Sequence, residues 1–365
     1  MEYVAEKKYN VLIVDDSSFM RRVISGIIKS NGEIGTIDTA ADGIEALNMI
    51  NDDIEKYDIV LLDVNMPKMN GLQVLNHIEK NKIKCKVIMV SVLVEEGAKE
   101  TILALEAGAV DFVLKPTGIE GDTASDFEKR LIIAIDEVIH YSGKRKKAFT
   151  SETAVLHNKI ETKSRDRLLN KLIVIASSTG GPKTLKDIIP KLPKEIDAPI
   201  VLIQHMPAGF TTSLADRLDE LCDIHVKEAE DGEVLKKGNV YIAPGSRQLR
   251  IMKDLSGKNR FSVKDEGAVG GLNPCADITF KSIAKTGYDD ITCVVLTGMG
   301  SDGKIGIEYL NGYKDTYVIA QEMSTCVVYG MPRAVINAKM ADRILGLDDI
   351  AEEILNRVGV QEHGC

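Results

Sequence analysis

Short β-branched runs, each followed by a polar or reactive residue, constrain this chain more than any other feature. Val11–Val14, Ile59–Leu62, Val87–Val90 and Val110–Leu114 are almost wholly apolar and bounded by polar residues. An unbroken apolar run suits a parallel strand covered on both faces, whereas a strand with one wet face alternates. Helical patterns lie between the runs, at Phe19–Ile28, Gly43–Ile50 and Asp126–His140. In the last of these Phe127, Leu131, Ile135 and Val138 recur at helical spacing, with Ser125 or Asp126 as the expected cap. From Lys171 the alternation resumes, and Leu172–Ala176, Ile200–Gln204 and Thr292–Thr297 are its clearest strands. Tyr241–Ala243, Leu249–Met252 and Arg260–Lys264 read as shorter antiparallel strands, with turns at Pro244-Gly245 and Ser256-Gly257. The fold class is α/β twice over, two doubly wound parallel sheets with an antiparallel hairpin in the second.

Between the two halves the composition changes. Residues 142–170 are polar, include Lys144-Arg145-Lys146-Lys147 and lack an apolar period. A net-positive joint between two acidic parts reads most simply as a solvated linker. It separates a domain at 7–141 from one at 171–358, and a chain of 365 residues is long enough to bury a core in each. The formal net charge of −9 and the absence of Trp argue against a nucleic-acid partner, which calls for a basic face or stacking platform. The longest apolar stretch, Val87 to Val94, is broken by Ser91 and far too short to cross a bilayer. The opening MEYVAEKKYN has no apolar signal core. Cys85, Cys222, Cys275, Cys293, Cys326 and Cys365 show no Cys-x-x-Cys spacing and fit free thiols in a reducing compartment. The expectation is a cytoplasmic, monomeric protein with no membrane insertion.

Ligands of open parallel sheets sit beyond the carboxyl ends of the strands. In the first half those ends read Asp15-Asp16, Asp63, Ser91 and Lys115-Pro116. Carboxylates gathered at one edge repel one another, so a hard cation such as magnesium is the natural remedy. Lys115 offers a point positive charge to an oxyanion. The ordered series points to a phosphoryl-acceptor site in which Asp63 attacks the phosphorus in line. Taken singly, Asp15 and Asp16 equally suit a helix cap, and Asp63 the end of a strand.

These residues resemble the response-regulator receiver domain. The matching motifs are Val14-Asp15-Asp16-Ser17, Leu62-Asp63-Val64-Asn65-Met66-Pro67, Asn70-Gly71, Ser91, Ala107-Gly108-Ala109 and Phe112-Val113-Leu114-Lys115-Pro116. The resemblance implies a flavodoxin-like fold and phosphorylation of Asp63 by a chemotaxis histidine kinase. It also implies magnesium held by Asp16, Asp63 and the Asn65 carbonyl with Asp15 nearby, and a switch formed by Ser91, Phe112 and Lys115. A plain core role for Phe112 fits the sequence equally well.

In the second half three strand ends are again reactive. They are Ser177-Ser178-Thr179-Gly180-Gly181-Pro182, His205, and Gly298-Met299-Gly300-Ser301-Asp302-Gly303. A serine, a histidine and a carboxylate at one edge have the roles of nucleophile, base and orienting group. Gly180-Gly181 leaves room for substrate, and Pro182 suits the first turn of a helix whose amides and dipole would favour an oxyanion. The Gly298-Met299-Gly300 turn could aim the Met299 amide at the same oxyanion. The same Ser-Thr-Gly-Gly also suits a cap or a phosphate loop. Chain order Ser…His…Asp without Gly-x-Ser-x-Gly disfavours an α/β-hydrolase.

This half resembles the chemotaxis protein-glutamate methylesterases (CheB family). The resemblance rests on Ser178-Thr179-Gly180-Gly181, Gln204-His205-Met206-Pro207-Ala208-Gly209-Phe210, Glu228-Ala229-Glu230-Asp231-Gly232 and Tyr241-Ile242-Ala243-Pro244-Gly245. It continues through Leu296–Gly303 and Gly330-Met331-Pro332-Arg333-Ala334. It implies a Rossmann-like methylesterase domain that needs no cofactor in the esterase site, with methyl-accepting chemoreceptors as substrate. It further implies Ser178 as nucleophile, His205 as base, Asp302 as orienting acid, and Met299 and Thr179 as oxyanion donors. Two departures stand out: Ser177 where the family usually has alanine, and Asn273-Pro274-Cys275 where it more often has Arg-Pro-Ser. The implied activity is hydrolysis of receptor glutamate methyl esters under phosphorylation control, with deamidation of receptor glutamines beside it.

Overall fold

A computed structural model describes residues 8–92, 95–116, 122–142 and 170–361. These fall into two compact units. Of the linker expected at 142–170, residues 143–169 lie outside the described residues.

The first unit begins β1 (Tyr9–Val14), α1 (Ser18–Ile28), β2 (Ile34–Ala40), α2 (Gly43–Asp52) and β3 (Ile59–Asp63). It continues α3 (Gly71–Lys80), β4 (Lys86–Ser91), α4 (Glu95–Ala107), β5 (Asp111–Leu114) and α5 (Asp122–Ser142). The strands pair in parallel in the order β2-β1-β3-β4-β5. That is the flavodoxin-like order, with its ligand edge beside β1 and β3. Every residue of β3 is buried, as a strand covered on both faces requires. The helices start on local chemistry. Ser17 caps α1 through the Met20 amide, Asp42 accepts from the Ile44 and Glu45 amides, and Asn70 with Gln73 closes a capping box on α3.

One expectation is corrected here, and one strand lies outside those the apolar runs mark. α5 begins at Asp122, so Ser125 and Asp126 lie inside it rather than at its cap. A small polar or acidic residue suits the first turns of a helix as well as the cap, because both feel its positive end. β2, reading IGTIDTA, was not anticipated; it is an edge strand whose partly exposed residues leave no apolar run.

The second unit begins β6 (Lys171–Ser177), α6 (Gly181–Ile188), β7 (Ile200–Gln204), α7 (Phe210–Leu221), β8 (His225–Glu228) and β9 (Asn239–Ile242). Then come β10 (Gln248–Lys253), β11 (Asn259–Lys264), α8 (Ala276–Ile283), β12 (Asp290–Val295) and α9 (Lys304–Asn311). It closes with β13 (Asp315–Gln321), α10 (Met331–Asn337), β14 (Arg343–Leu345) and α11 (Leu347–Val358). A parallel sheet runs β14-β13-β12-β6-β7-β9-β8, and β10 pairs with β11 as a separate antiparallel hairpin. Tyr241–Ala243 was expected in an antiparallel strand. Tyr241 and Ile242 instead belong to β9, which pairs in parallel with both β7 and β8. Apolar content marks a strand but not its direction, which the length of the connection decides; the loop from β8 to β9 returns the chain to the same end.

The second core lies between the sheet, the hairpin and α8. Phe280, Leu249 and Ile251 are fully or almost fully buried, and Tyr241 meets Phe261 edge-on at 5.0 Å between centroids. Burial of each such side chain contributes about 1.5–3 kcal/mol. Cys85, Cys222, Cys275, Cys293 and Cys326 are free thiols, as expected. No helix among the described residues is long and apolar enough to cross a membrane.

One glycine ties the first fold to its polar edge. A Cβ on Gly71 would lie 2.1 Å from the Asp63 carbonyl oxygen. Gly71→Ala must therefore push α3 away from the end of β3, and it is expected to cost about 1–3 kcal/mol. Urea unfolding of the variant followed by circular dichroism checks this; an unchanged midpoint for the first unit would refute the close-approach argument.

Candidate active sites

At the carboxyl edge of the first sheet, Asp15 and Asp16 follow β1, Asp63 ends β3, Ser91 ends β4 and Lys115 follows β5. Parallel pairing brings these ends together, and a backbone hydrogen bond from Lys115 to Ser91 (2.6 Å) continues the β4–β5 ladder. The Lys115 ammonium lies 2.7 Å from Asp63 Oδ2 and 2.8 Å from Asp15 Oδ2. Asp15 and Asp63 are buried, whereas Asp16 is exposed. The cap of α1 is Ser17, while Asp15 Oδ1 accepts from the Ser17 amide at 2.9 Å and Arg21 holds the Asp15 carbonyl at 2.6 Å. Asp15 is thus fastened from both sides with its other oxygen turned to Lys115.

Burial pushes the Asp63 carboxyl up to about 6, although Lys115 and the Asn65 amide pull it back; Asp15 adds to the rise. For Lys115 burial acts downward, yet Asp63 and Asp15 outweigh it and the ammonium is held above its ordinary range. One carboxylate oxygen each from Asp15, Asp16 and Asp63 lie within 4.8 Å of one another. An all-oxygen set with one exposed member, which leaves room for retained waters, fits magnesium. Ser91 is turned elsewhere: its hydroxyl donates to the Val92 carbonyl (3.3 Å) and accepts from Thr101 (3.0 Å). Phe112 is half-buried on β5.

In the second sheet β12, β6 and β7 are neighbours in register, Val295 opposite Ala176 and Ser177 opposite Gln204. Their carboxyl ends therefore meet. The two adjacent serines are placed very differently. Ser177 is fully buried and donates to Gln204 Oε1 at 2.7 Å. Ser178 is half-buried, past the end of the strand. Its backbone is fixed on three sides: its amide donates to the Thr297 carbonyl (3.0 Å), and its own carbonyl accepts from Gln204 Nε2 (2.9 Å) and the Gly181 amide (2.7 Å). Gly180 adopts φ +77°, and a Cβ there would meet Val327 at 2.5 Å. A Cβ on Gly298 would lie 2.7 Å from Ser178 Cβ, so only glycine lets the Gly298-Met299 turn approach the serine this closely.

His205 follows β7 and donates its backbone N–H to the Ser177 carbonyl at 3.2 Å. Its Nε2 lies 2.8 Å from Asp302 Oδ2, and both side chains are almost fully enclosed. Asp302 sits before the amino end of α8, where Oδ2 accepts from the Ala276 amide (2.6 Å) and Oδ1 from the Asp277 amide (2.9 Å). Oδ1 also accepts from the Gly303 amide (2.9 Å) and from the Cys275 thiol (3.2 Å). Burial alone would raise this carboxyl, but the hydrogen bond and charge of His205 and the two α8 amides hold it down to about 2. Met299 is exposed at the turn, and Thr179 is buried with its carbonyl bonded to the Thr297 hydroxyl at 2.9 Å.

The reactive residues singled out in the sequence therefore lie at one of two strand edges, while Phe112 lies within β5 and the Ser91 hydroxyl is engaged with Val92 and Thr101. Gln204 and Thr297, which fix the Ser178 loop, carried no assigned role. A buried amide and hydroxyl inside apolar runs are the one signal that could have drawn notice to them.

A flavodoxin-like sheet with an acidic pocket, joined to a second parallel sheet with a serine edge and a His–Asp pair, defines a response regulator with an enzyme-like output unit. Residues 11–121 match the response regulator receiver domain and residues 173–354 match the CheB methylesterase. A protein-glutamate methylesterase/protein-glutamine glutaminase of Syntrophomonas wolfei is 41% identical over 95% of this chain and 98% of its own. The Bacillus subtilis protein of that name is 40% identical over 95% and 98%. The crystal structure of the Thermotoga maritima CheB methylesterase catalytic domain superposes with a TM-score of 0.50 at 45% identity, covering 52% of this chain and 99% of that one. The chain belongs to the CheB family of protein-glutamate methylesterase/protein-glutamine glutaminase enzymes, with a receiver domain at its amino-terminal end.

The raised Asp63 carboxyl has a consequence for stability. Its folded value lies above the unfolded one, so the folded state holds the extra proton between about pH 4 and pH 6 and loses stability as pH rises through that window. Asp63→Asn is expected to stabilise the magnesium-free protein at pH 7.5 by about 1–3 kcal/mol, with the gain vanishing below pH 4. Thermal unfolding at both pH values tests it. Added magnesium should raise the melting temperature of the wild type and not that of the variant.

Proposed function

We propose that this chain is a cytoplasmic, monomeric chemotaxis enzyme that hydrolyses glutamate methyl esters on chemoreceptors by a Ser-His-Asp mechanism controlled by phosphorylation. Its domains are a receiver at 7–141 and a catalytic domain at 171–358, joined by 142–170. The observation that carries this reading is the His205–Asp302 pair at 2.8 Å on the strand edge shared with Ser178. Asp302 stays ionised and holds the Nε2–H of His205, which leaves Nδ1 as the basic nitrogen.

Ser178 Oγ attacks the ester carbonyl carbon while His205 takes the hydroxyl proton. The carbonyl oxygen becomes an oxyanion that accepts from the backbone N–H groups of Met299 and Thr179. Collapse of this intermediate breaks the carbon–methoxy bond, and His205 returns the proton to the departing methanol. Water, deprotonated by His205, then attacks the acyl-serine, releasing the glutamate carboxylate and restoring Ser178. With a glutamine side chain the leaving group is ammonia and the same steps give deamidation.

In the receiver an Asp63 oxygen attacks the phosphorus of a kinase phosphohistidine, forming an acyl phosphate as the nitrogen–phosphorus bond breaks. Asp16, Asp63 and the Asn65 carbonyl, with Asp15 beside them, would hold magnesium, which when bound would supply positive charge for the phosphoryl oxygens. Lys115 adds a second cation. Ser91 gives up its bonds to Val92 and Thr101 and turns to the phosphoryl group, and Phe112 repacks.

Methanol release from methylated receptor signalling fragments tests the reading. Ser178→Ala should lower turnover by about 10⁴-fold or more, and His205→Ala similarly. Ser177→Ala, which removes a buried hydrogen bond and no reacting group, should stay within about tenfold of wild type. A small phosphodonor with magnesium should stimulate wild type and leave Asp63→Asn unmoved. A wild type that binds the fragments and releases no methanol under any condition would point to a non-catalytic adaptor.

A further inference from the structure

We propose that Cys275 is a positioning residue of the esterase site, its thiol holding the Asp302 carboxylate in line with His205. The inference rests on the catalytic reading of Asp302, but the contact itself is independent of it. Cys275 Sγ lies 3.2 Å from Asp302 Oδ1, and the side chain is only 3% exposed. The residue also fixes the approach to α8, because its amide donates to Gln248 Oε1 at 2.9 Å while Gln248 is itself fully buried.

Asp302 Oδ2 is shared between His205 and the Ala276 amide, and Oδ1 takes the Asp277 and Gly303 amides and the thiol. Four of these five donors come from the backbone or the histidine. The thiol is the fifth, and the one side-chain donor that a substitution can remove without touching the His205 contact. Burial and the Asp302 charge push the thiol up to about 12, so it remains S–H and donates. A buried thiol of this kind is a poor nucleophile and resists alkylation, which separates this role from a redox or covalent one.

The titratable groups facing Asp302 are His205, Cys275 and Asp277. The Asp277 carboxylate is engaged by the Gly306 amide at 2.6 Å and attracted by Lys281, so it does not compete for His205. Removing the S–H dipole leaves the Asp302 charge less compensated, which favours the imidazolium form of His205. The acid limb of the rate profile then moves to higher pH.

The test compares Cys275→Ala and Cys275→Ser in the full-length chain. In Cys275→Ala, kcat for ester hydrolysis should fall about three- to tenfold with KM nearly unchanged, and the acid limb of kcat/KM should move upward by a few tenths of a pH unit. Cys275→Ser, which keeps a donor, should restore both. A simple packing defect would lower thermal stability in Cys275→Ala without moving the acid limb. An alanine variant with the wild-type profile, or a serine variant as impaired as alanine, overturns the proposal. The infrared S–H stretch of Cys275, isolated as the difference between wild type and Cys275→Ser, gives a readout that needs no turnover. It should lie at the low frequency of a strongly bonded thiol and rise in Asp302→Asn. A free-thiol frequency in wild type overturns the contact even if esterase activity is normal. A bonded frequency with no esterase activity would instead leave the contact standing and remove the catalytic reading.

Discussion

Parallel pairing of neighbouring strands is the constraint on which the rest of this molecule depends. In an antiparallel pair successive strand ends alternate between two edges, so reactive residues that follow each strand are scattered. In a parallel sheet with helical crossovers every carboxyl end arrives at the same edge. β1, β3, β4 and β5 deliver Asp15, Asp63, Ser91 and Lys115 in this way, and β6, β7 and β12 deliver Ser178, His205 and the loop to Asp302. Strands buried on both faces are rigid supports, so the side chains at their ends are placed by the sheet rather than by flexible loops.

The two edges solve the problem of buried charge in opposite ways. In the receiver, Asp15 and Asp63 share a single lysine, and the pocket stays short of positive charge. Asp63 accordingly sits high, a buried carboxylate whose negative charge is costly to maintain where positive charge is scarce. In the catalytic unit one buried carboxylate has a full complement of donors, and Asp302 sits low. Five donors around it keep the Asp302 carboxylate ionised beside His205.

Glycine governs how closely the pieces approach. Gly71 lets α3 abut the end of β3, and Gly298 lets the Met299 turn abut Ser178. Gly181 has the same character, since a Cβ there would fall 2.0 Å from Gln204 Oε1 and displace the amide that holds the Ser178 carbonyl. The Ser177–Gln204 hydrogen bond is a local addition to this scheme. By donating to Oε1, Ser177 fixes which way the Gln204 amide faces, and so turns its N–H₂ toward Ser178.

The sequence by itself determined the α/β character, the parallel central strands and the identity of the residues at their ends. Continuous apolar runs report burial on both faces, and the residues just beyond them carry the chemistry. It left β2 unseen and gave Tyr241–Ala243 the wrong direction, because edge strands lack an apolar run and composition does not encode strand polarity. Between Ser177 and Ser178, the residue types alone offered no distinction. The family resemblance singles out Ser178, and the tertiary structure adds the physical difference: a one-residue step at a strand end buries the Ser177 hydroxyl against Gln204 and leaves Ser178 at the open edge. The same holds for Cys275, Gln204 and Thr297. Their roles arise from contacts with residues 24 or more positions away along the chain, and such contacts exist only once the sheet has brought its strand ends together.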